Sequence, residues 1–193
     1  MIVGLTGGIG SGKSTVLKEF QKIGNITVYN ADVEAKKIMT TSIRVRIEIM
    51  KEFGENSYVD DQLNRSHISR IVFSDKKKLS KLNAIVHPEV FKHFKNFVLA
   101  NNNKEYILYE NAILFENNSD SLCDSIITVV ADENTRIQRV VSRDGVSELE
   151  VKSRIQNQWK DSKKILLSNY IIKNNNNNNL QTQTVRIHNN LTK

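Results

Sequence analysis

The sequence has a single cysteine and no long apolar run, and each shortage excludes a class of protein. Cys123 has no second cysteine to pair with, and no Cys or His spacing typical of a zinc site accompanies it. No apolar stretch approaches the roughly 20 residues that a membrane span needs, and no charged leader precedes the first one. We therefore expect a soluble, cytoplasmic protein in which Cys123 is a buried structural residue.

Two motifs of other nucleotide-dependent or nucleic-acid-binding classes are also missing. No Asn-Lys-x-Asp segment is present, which argues against a GTP-binding switch. The net charge of +7 suits a polyanionic partner. No aromatic side chains interleave with a basic patch, however, and the lysine run 76–78 is expected on a solvated helix end. We expect neither a nucleic-acid partner nor a membrane partner.

The most informative segment that is present is rich in glycine and lies near the start of the chain. Residues 7–15 read Gly-Gly-Ile-Gly-Ser-Gly-Lys-Ser-Thr and directly follow the apolar stretch 2–5. Gly7, Gly12, Lys13 and Ser14 satisfy the pattern G-x-x-x-x-G-K-[ST]. A ligand-free turn and a dinucleotide-binding turn are the alternatives, but neither uses the Lys-Ser pair. The pattern therefore predicts a phosphate-binding loop.

Each residue type in this loop has a chemical reason. Glycines allow positive φ and bring backbone N–H groups close to phosphate oxygens. Lys13 supplies a mobile positive charge for the β- and γ-phosphates, and the Ser14 hydroxyl can bind Mg²⁺. A helix expected over about 13–23 adds its N-terminal partial charge to the anion site.

The hydrophobic pattern predicts an α/β fold of the P-loop NTPase type, with three layers and a five-stranded parallel sheet. Strands are expected at 2–5, 26–29, 106–109, 126–130 and 170–172. No convincing strand is seen between them over 32–103, where helical patterns occur at 35–40, 44–53, 68–73, 76–86 and 88–99, the last starting at His87-Pro88. The Asn-rich run 174–179 predicts a flexible surface loop, and 180–191 predicts a helix.

These patterns predict a single P-loop nucleotide-binding domain with three parts. The core is expected over about 1–31, 104–135 and 168–193. The helical insertion, about 32–103, would hold the second substrate. A lid is expected over about 136–167, because arginines on one helix face ahead of a turn are typical of a lid that closes over a migrating phosphoryl group. A solvated basic stripe is the alternative for these arginines, which are Arg136, Arg139 and Arg143.

Two carboxylates follow predicted strands. Ligands of open parallel sheets collect at the carboxyl ends of strands, so Asp32 is expected to point into the crevice that holds the phosphates. It could accept a proton from a substrate hydroxyl or hold Mg²⁺ through water, and it could equally be the N-cap of a helix starting at Val33. Glu110 ends the third strand, where it either approaches the metal or merely caps the strand.

Further segments carry a family resemblance by their order and spacing. They are Thr6 to Thr15, Asn30-Ala31-Asp32, Arg65, His87-Pro88, Leu114-Phe115-Glu116, Arg136 with Gln138-Arg139, Arg143-Asp144, and Arg154 with Gln158. This set resembles the dephospho-CoA kinase family over essentially the whole chain. The resemblance implies ATP-dependent phosphorylation of the ribose 3′-hydroxyl of dephospho-CoA, with Mg²⁺, to give coenzyme A and ADP.

The resemblance also implies a role for each site residue. Asp32 would be the base that orients or deprotonates the 3′-hydroxyl. The ATP phosphates would be held by Gly8, Gly10, Ser11, Gly12, Lys13, Ser14 and Thr15, with Ser14 the metal ligand. Arg139 and Arg143 would be lid contacts to phosphate. The acceptor side would be lined or supported by Arg65, His87, Glu116 and Arg154. A monomer or weak homo-oligomer is expected.

Three residues depart from the family pattern. Asn30 stands where the family usually has a second aspartate, Ala112 replaces a proline, and Lys173 replaces an aspartate near the expected adenine site. None of the three departures changes Asp32 or Lys13. The alternative function is that of another small-molecule P-loop kinase, of the nucleoside monophosphate or shikimate type, which differs in what the insertion binds.

Overall fold

A computed structural model describes residues 1–175 and 179–193 of the chain. Contacts divide it into two compact units, the first formed by Met1–Asn30 and Asn101–Lys193 and the second by Ala31–Ala100. The surface loop predicted for 174–179 therefore lies in part, at 176–178, outside the described residues.

The helices and strands are as follows in chain order. The strands are β1 (Ile2–Thr6), β2 (Thr27–Asn30), β3 (Tyr58–Val59), β4 (Gln62–Leu63), β5 (Ile107–Glu110), β6 (Ser125–Val130) and β7 (Tyr170–Lys173). The helices are α1 (Lys13–Gln21), α2 (Ala31–Thr41), α3 (Ile43–Phe53), α4 (Arg65–Ser74), α5 (Lys76–Ala100), α6 (Glu133–Asp144), α7 (Glu148–Gln156), α8 (Asp161–Leu166) and α9 (Leu180–Leu191).

The first unit is built on a five-stranded sheet in the order β2-β5-β1-β6-β7. Every neighbouring pair in it is parallel. The strands are short apolar runs that are buried over most of their length, as expected of a parallel sheet covered by helices. The predicted α/β fold with its parallel sheet is thus confirmed, and the predicted C-terminal helix is α9.

Helix and sheet faces meet in one apolar core in this unit. Leu5 of β1 and Ile127 of β6 are fully buried, as is Phe20 of α1. Helix α1 packs against α9, whose Ile187 joins the same core. This packing fixes the start of α1 against the end of β1, which is where the glycine-rich loop lies.

The second unit is a helical subdomain with its own core. Ile49 and Phe53 of α3, Ile68 of α4 and Leu82 of α5 are buried together. Helix α3 is capped by the Ser42 hydroxyl, which accepts a hydrogen bond from the Val45 amide at 3.4 Å. Of the helices that the described residues form, none is both long and apolar enough to cross a lipid bilayer.

Two predictions for this unit are wrong. The helices predicted at 76–86 and 88–99 are one helix, α5, and Pro88 lies inside it rather than at a helix start. Buried side chains on both sides of the proline, such as Val86 and Phe94, favour continuation and outweigh the hydrogen bond that proline cannot donate. The stretch also contains a hairpin, β3–β4, whose turn residues Asp60 and Asp61 have φ of 48° and 61°. Aspartate tolerates this conformation but signals it more weakly than Asn-Gly.

Cys123 is partly buried beside β1, and its Sγ lies 3.7 Å from the Ser119 carbonyl oxygen, to which it donates. Burial, together with Asp120 and Asp124, raises the pKa of the Cys123 thiol to about 12. The thiolate is therefore scarce at neutral pH and becomes common only as the pH approaches that value.

We expect iodoacetamide at pH 8 to alkylate Cys123 in the native protein at least about 100-fold more slowly than in urea, where the thiol regains a pKa near 8.5. Mass spectrometry of timed samples measures both rates. Equal rates in the two solutions would contradict the burial described here.

Candidate active site

The glycine-rich loop joins β1 to α1 at the carboxyl edge of the sheet. β1 ends at Thr6 and α1 begins at Lys13, so residues 7–12 form the turn between them. Gly12 is the N-cap of α1 in the left-handed conformation, with φ of 89° and ψ of 30°. The first-turn N–H groups of α1 therefore begin directly at the loop, which is the geometry of an anion site.

Carbonyl groups of the loop are held by side chains from outside it. Arg136 Nε donates to the Ile9 oxygen at 2.9 Å, and Asn174 Nδ2 donates to the Ser11 oxygen at 2.8 Å. Arg139 Nη1 lies 3.5 Å from the Gly10 oxygen. In a trans peptide the N–H that follows a carbonyl points the opposite way. Holding the Ile9 and Ser11 carbonyls therefore turns the Gly10 and Gly12 N–H groups toward the other side, where a phosphate is expected. The Ser11 N–H donates within the loop, to the Gly8 oxygen at 3.1 Å.

The side chain of Lys13 folds back onto the loop that precedes it. Its Nζ donates to the Gly7 oxygen at 2.9 Å and lies 3.5 Å from the Gly8 oxygen. The ammonium group thus lies over the loop, partly buried, rather than extending into solvent. A triphosphate that brings its oxygens to this position would exchange carbonyl partners for charged ones, which bind an ammonium group more strongly.

Two glycines are required by space as well as by conformation. A Cβ on Gly8 would collide with the Arg136 guanidinium, and a Cβ on Gly12 would collide with the Asn174 side-chain amide. Gly12 additionally has the positive φ that L residues rarely adopt. The residues that hold the loop carbonyls therefore occupy the space that the glycines leave.

Arg136 lies in α6 and supports the loop from a buried position, so its predicted place in a movable arginine cluster is wrong. Only 6% of the residue is exposed, and Nη1 pairs with Asp161 Oδ2 at 3.0 Å. The spacing of three and four residues did place the three arginines on one helix, α6, but Arg136 lies on the buried face of that helix. Only the later two can reach solvent.

Arg139 and Arg143, by contrast, remain candidates for phosphate contact. Arg139 is half-buried and its Nη2 donates to the Asn174 oxygen at 3.0 Å, beside the loop. Arg143 is exposed and makes two hydrogen bonds to Asp144, at 2.7 and 3.1 Å. Asp144 also accepts from Arg154 at 3.3 Å. The Arg143 guanidinium holds the pKa of Asp144 below its ordinary value, so this carboxylate stays charged and joins the two arginines.

Glu116 lies in a buried ion pair. Its Oε1 is 2.9 Å from Nζ of Lys164, a fully buried side chain, and accepts a hydrogen bond from the Trp159 amide at 2.9 Å. Lys164 also donates to the Ala112 oxygen at 2.9 Å. Glu116 Oε2 is buried and has no hydrogen-bond partner among the described residues. Glu116 therefore fixes the turn 112–116, and a contact with substrate stays a prediction.

A second polar pair lies at the carboxyl ends of neighbouring strands. Asn30 of β2 and Glu110 of β5 are register partners, and Asn30 Nδ2 donates to Glu110 Oε2. Glu110 in turn is the register partner of Leu5 in β1, one residue before the strand's end. Where a second aspartate would repel Glu110, the neutral Asn30 amide holds it.

Asp32 lies in the first turn of α2 and is exposed. The N-cap interpretation assumed a helix starting at Val33 and is wrong, because α2 already begins with the residue that follows β2. Asp32 thus presents a carboxylate to solvent two residues after the carboxyl end of β2. Its approach to the phosphate loop stays a prediction.

The other two predicted residues of the second unit lie on different helices. Arg65 is the exposed first residue of α4. His87 lies midway along α5, where partial desolvation lowers the pKa of its imidazole. The neutral form of His87 therefore dominates at pH 7, and it can donate or accept one hydrogen bond but carries little charge.

Sequence reasoning missed three residues that build the site. Asn174 was placed in a flexible loop, but it is buried and holds both Ser11 and the end of β6. Nothing in the sequence singles out Lys164 or Asp161 among its charged residues. A run of identical asparagines gives no signal for the one that is buried, and pairings across 25 and 52 residues leave no local pattern.

Gly12→Ala tests the crowded loop directly, with Gly145→Ala as the matched control. Gly145 has the same left-handed conformation, with φ of 66°, but no atom of the described residues lies within 4 Å of the position that its Cβ would take. We expect Gly12→Ala to lower affinity for ATP at least about 100-fold, and Gly145→Ala to cost only about 1 kcal/mol of stability. Calorimetric titration and thermal unfolding measure the two effects. Equal ATP affinity in both variants would show that the loop is not the nucleotide site.

Comparisons with known proteins agree with this geometry. A family model described as Dephospho-CoA kinase matches residues 1–180. Dephospho-CoA kinase of Fusobacterium nucleatum is 37% identical over 177 residues, which are 91% of this chain and 90% of that protein. The crystal structure of TT1252 from Thermus thermophilus has a TM-score of 0.90 at 28% identity, with 100% and 98% of the two chains covered.

Dephospho-CoA kinase from Campylobacter jejuni shares the fold, with a TM-score of 0.71 at 23% identity over 99% of this chain and 96% of that one. The family model covers nearly the whole chain, and it includes the loop, both carboxylate-bearing strand ends and the arginine helix. The chain belongs to the dephospho-CoA kinase family.

Proposed function

We propose that this protein transfers the γ-phosphoryl group of ATP to the ribose 3′-hydroxyl of dephospho-CoA, giving coenzyme A and ADP. The observation that carries the proposal is the family match over residues 1–180 of a chain whose phosphate loop is held ready by side chains around it. Phosphoryl transfer requires little covalent chemistry from the protein, so positioning and charge stabilisation supply most of the rate.

On the ATP side, the loop and the start of α1 bind the phosphates. The N–H groups of Gly10, Gly12, Lys13 and Ser14 would donate to phosphate oxygens, since those of Ile9 and Ser11 already donate to Gln158 and to the Gly8 oxygen. The Lys13 ammonium would move from loop carbonyls to the β- and γ-phosphates. Arg139 lies beside the loop already. Arg143 would leave Asp144 and approach the migrating group, where charge that develops in the transition state binds it more tightly than the ground state does.

The donors also fit a magnesium ion that arrives with ATP. Mg²⁺ keeps most of its ligands from water and phosphate and needs few from the protein. The Ser14 hydroxyl is exposed in the first turn of α1 and would be one ligand. When bound, the ion neutralises phosphate charge. Glu110, whose carboxylate is held by Asn30 at the neighbouring strand end, would hold water on that side.

On the acceptor side, Asp32 would act as the base. Its carboxylate is exposed in the first turn of α2, two residues after the carboxyl end of β2, and ligands of open parallel sheets collect at the carboxyl ends of strands. Asp32 would accept a hydrogen bond from the 3′-hydroxyl, orient its oxygen toward phosphorus and take its proton as the new P–O bond forms. The proton then passes to solvent.

Four further residues would support the acceptor. Arg65 offers an exposed guanidinium to a phosphate of dephospho-CoA, and the neutral His87 offers a hydrogen bond. Glu116 would act mainly by holding the turn 112–116 in place, since its carboxylate is committed to Lys164. Arg154 shares Asp144 with Arg143 and would keep that carboxylate in place when Arg143 moves.

A panel of acceptors tests the function. We expect ADP release from ATP to accelerate with dephospho-CoA and not with nucleoside monophosphates or shikimate. Mass spectrometry of the product would show a gain of one phosphate on the ribose. Acceleration by a nucleoside monophosphate or by shikimate alone would replace the proposed function with that of another P-loop kinase.

Asp32→Asn tests the base. We expect turnover to fall by about 10² to 10⁴-fold, the usual loss for a general base, with affinity for ATP largely kept because the loop is unchanged. Glu34→Gln is the matched control, since Glu34 lies in the same first turn but pairs with Lys37 on the surface. Normal turnover in Asp32→Asn would remove the proposed base.

A further inference from the structure

We propose that Asp161 is a positioning residue for nucleotide binding, which sets the Ile9 peptide of the phosphate loop through Arg136. The proposal rests on the function proposed above, in that the loop is the ATP site. Asp161 touches neither substrate in this account. It acts through one buried guanidinium on the backbone that binds phosphate.

The chain of contacts is short and almost entirely buried. Asp161 Oδ2 accepts from Arg136 Nη1 at 3.0 Å, and Arg136 Nε donates to the Ile9 oxygen at 2.9 Å. The exposed fractions of the two side chains are 21% for Asp161 and 7% for Arg136. A planar guanidinium gives both bonds from one rigid fork, so fixing one end of the fork orients the other.

A second tether from the same segment holds the other side of Ile9. The Ile9 N–H donates to Gln158 Oε1 at 2.8 Å. Both polar groups of this residue are thus bound to side chains, one directly by Gln158 and one through Arg136 by Asp161. Residues 158–161, which run from the segment after α7 into the first residue of α8, therefore hold both polar groups of Ile9.

The pair is poorly explained by stability alone. Asp161 Oδ1 is buried and finds no hydrogen-bond partner among the described residues, and a half-satisfied buried carboxylate is costly. A cavity of about 710 Å³ also adjoins the pair and is lined in part by Arg136, Gln158 and Trp159. The Arg136–Asp161 pair is therefore not enclosed by tight packing on that side. The ion pair with Asp161 orients the Arg136 guanidinium, and this orientation directs Nε to the Ile9 carbonyl.

The consequence for phosphate binding follows from the peptide plane. Holding the Ile9 oxygen toward Arg136 turns the Gly10 N–H to the opposite side. Without Asp161 the guanidinium loses the acceptor that fixes its plane, and the Ile9–Gly10 peptide can rotate. ATP would then have to order the loop as it binds, which weakens affinity.

Three variants test the proposal by equilibrium binding of ATP and by steady-state kinetics. We expect Asp161→Asn to weaken ATP binding about tenfold, which is about 1.4 kcal/mol, while the KM for dephospho-CoA changes less than twofold. Arg136→Lys keeps a cation for Asp161 but loses the fork, and should weaken ATP binding at least as much. The double variant should be no worse than Arg136→Lys, because both changes break the same connection.

Glu148→Gln is the matched control, because it neutralises an exposed carboxylate of α7 that pairs with Lys152 at 3.7 Å. It should bind ATP within twofold of the wild type. Unchanged ATP affinity in folded Asp161→Asn, with only a lower melting temperature, would overturn the proposal. If that variant does not fold, Arg136→Lys provides the test, because it breaks the same connection from Asp161 to the Ile9 carbonyl, and wild-type ATP affinity there would overturn the proposal equally. Failure of the wild type to bind ATP would instead refute the proposed function.

Discussion

A phosphate loop can offer its N–H groups to an anion only if its carbonyl oxygens are held elsewhere. In this protein Arg136, Arg139 and Asn174 provide that hold from positions up to 163 residues away in the chain. Carbonyls that faced the ligand would repel phosphate oxygens, so these donors are a precondition of binding rather than an addition to it. The glycines matter for the same reason, since their missing side chains leave room for the donors.

Two ion pairs with buried members support the site, and one of them orients the Arg136 donor. Arg136 pairs with Asp161, and Lys164 with Glu116. Removing such groups from water costs several kcal/mol per ion, which the pairing only partly offsets. Both pairs involve α8, so one short helix secures the loop tip through one pair and the 112–116 turn through the other. The apolar core around β1 and β6 offsets the free-energy cost of burying these charges.

The parts that could be predicted from sequence have local causes. The loop depends on residue types at fixed spacing, and the sheet depends on short apolar runs. The helix predicted over 180–191 has the same bounds as α9. The parts that could not be predicted depend on tertiary contact. Pro88 sits inside α5 because packing on both sides favours a continuous helix. Arg136 and Arg143 have the same spacing signal, and only burial separates the loop support from the candidate phosphate ligand.

A crystal structure with a non-hydrolysable ATP analogue, Mg²⁺ and dephospho-CoA would test the central claim most directly. The account predicts β- and γ-phosphate oxygens within hydrogen-bond distance of the N–H groups of Gly10 and of residues 12–14. It also predicts that the Arg136 and Asn174 bonds to loop carbonyls are unchanged and that the 3′-hydroxyl lies against Asp32. Phosphates bound elsewhere, or a loop whose carbonyls leave these side chains when ATP binds, would contradict it.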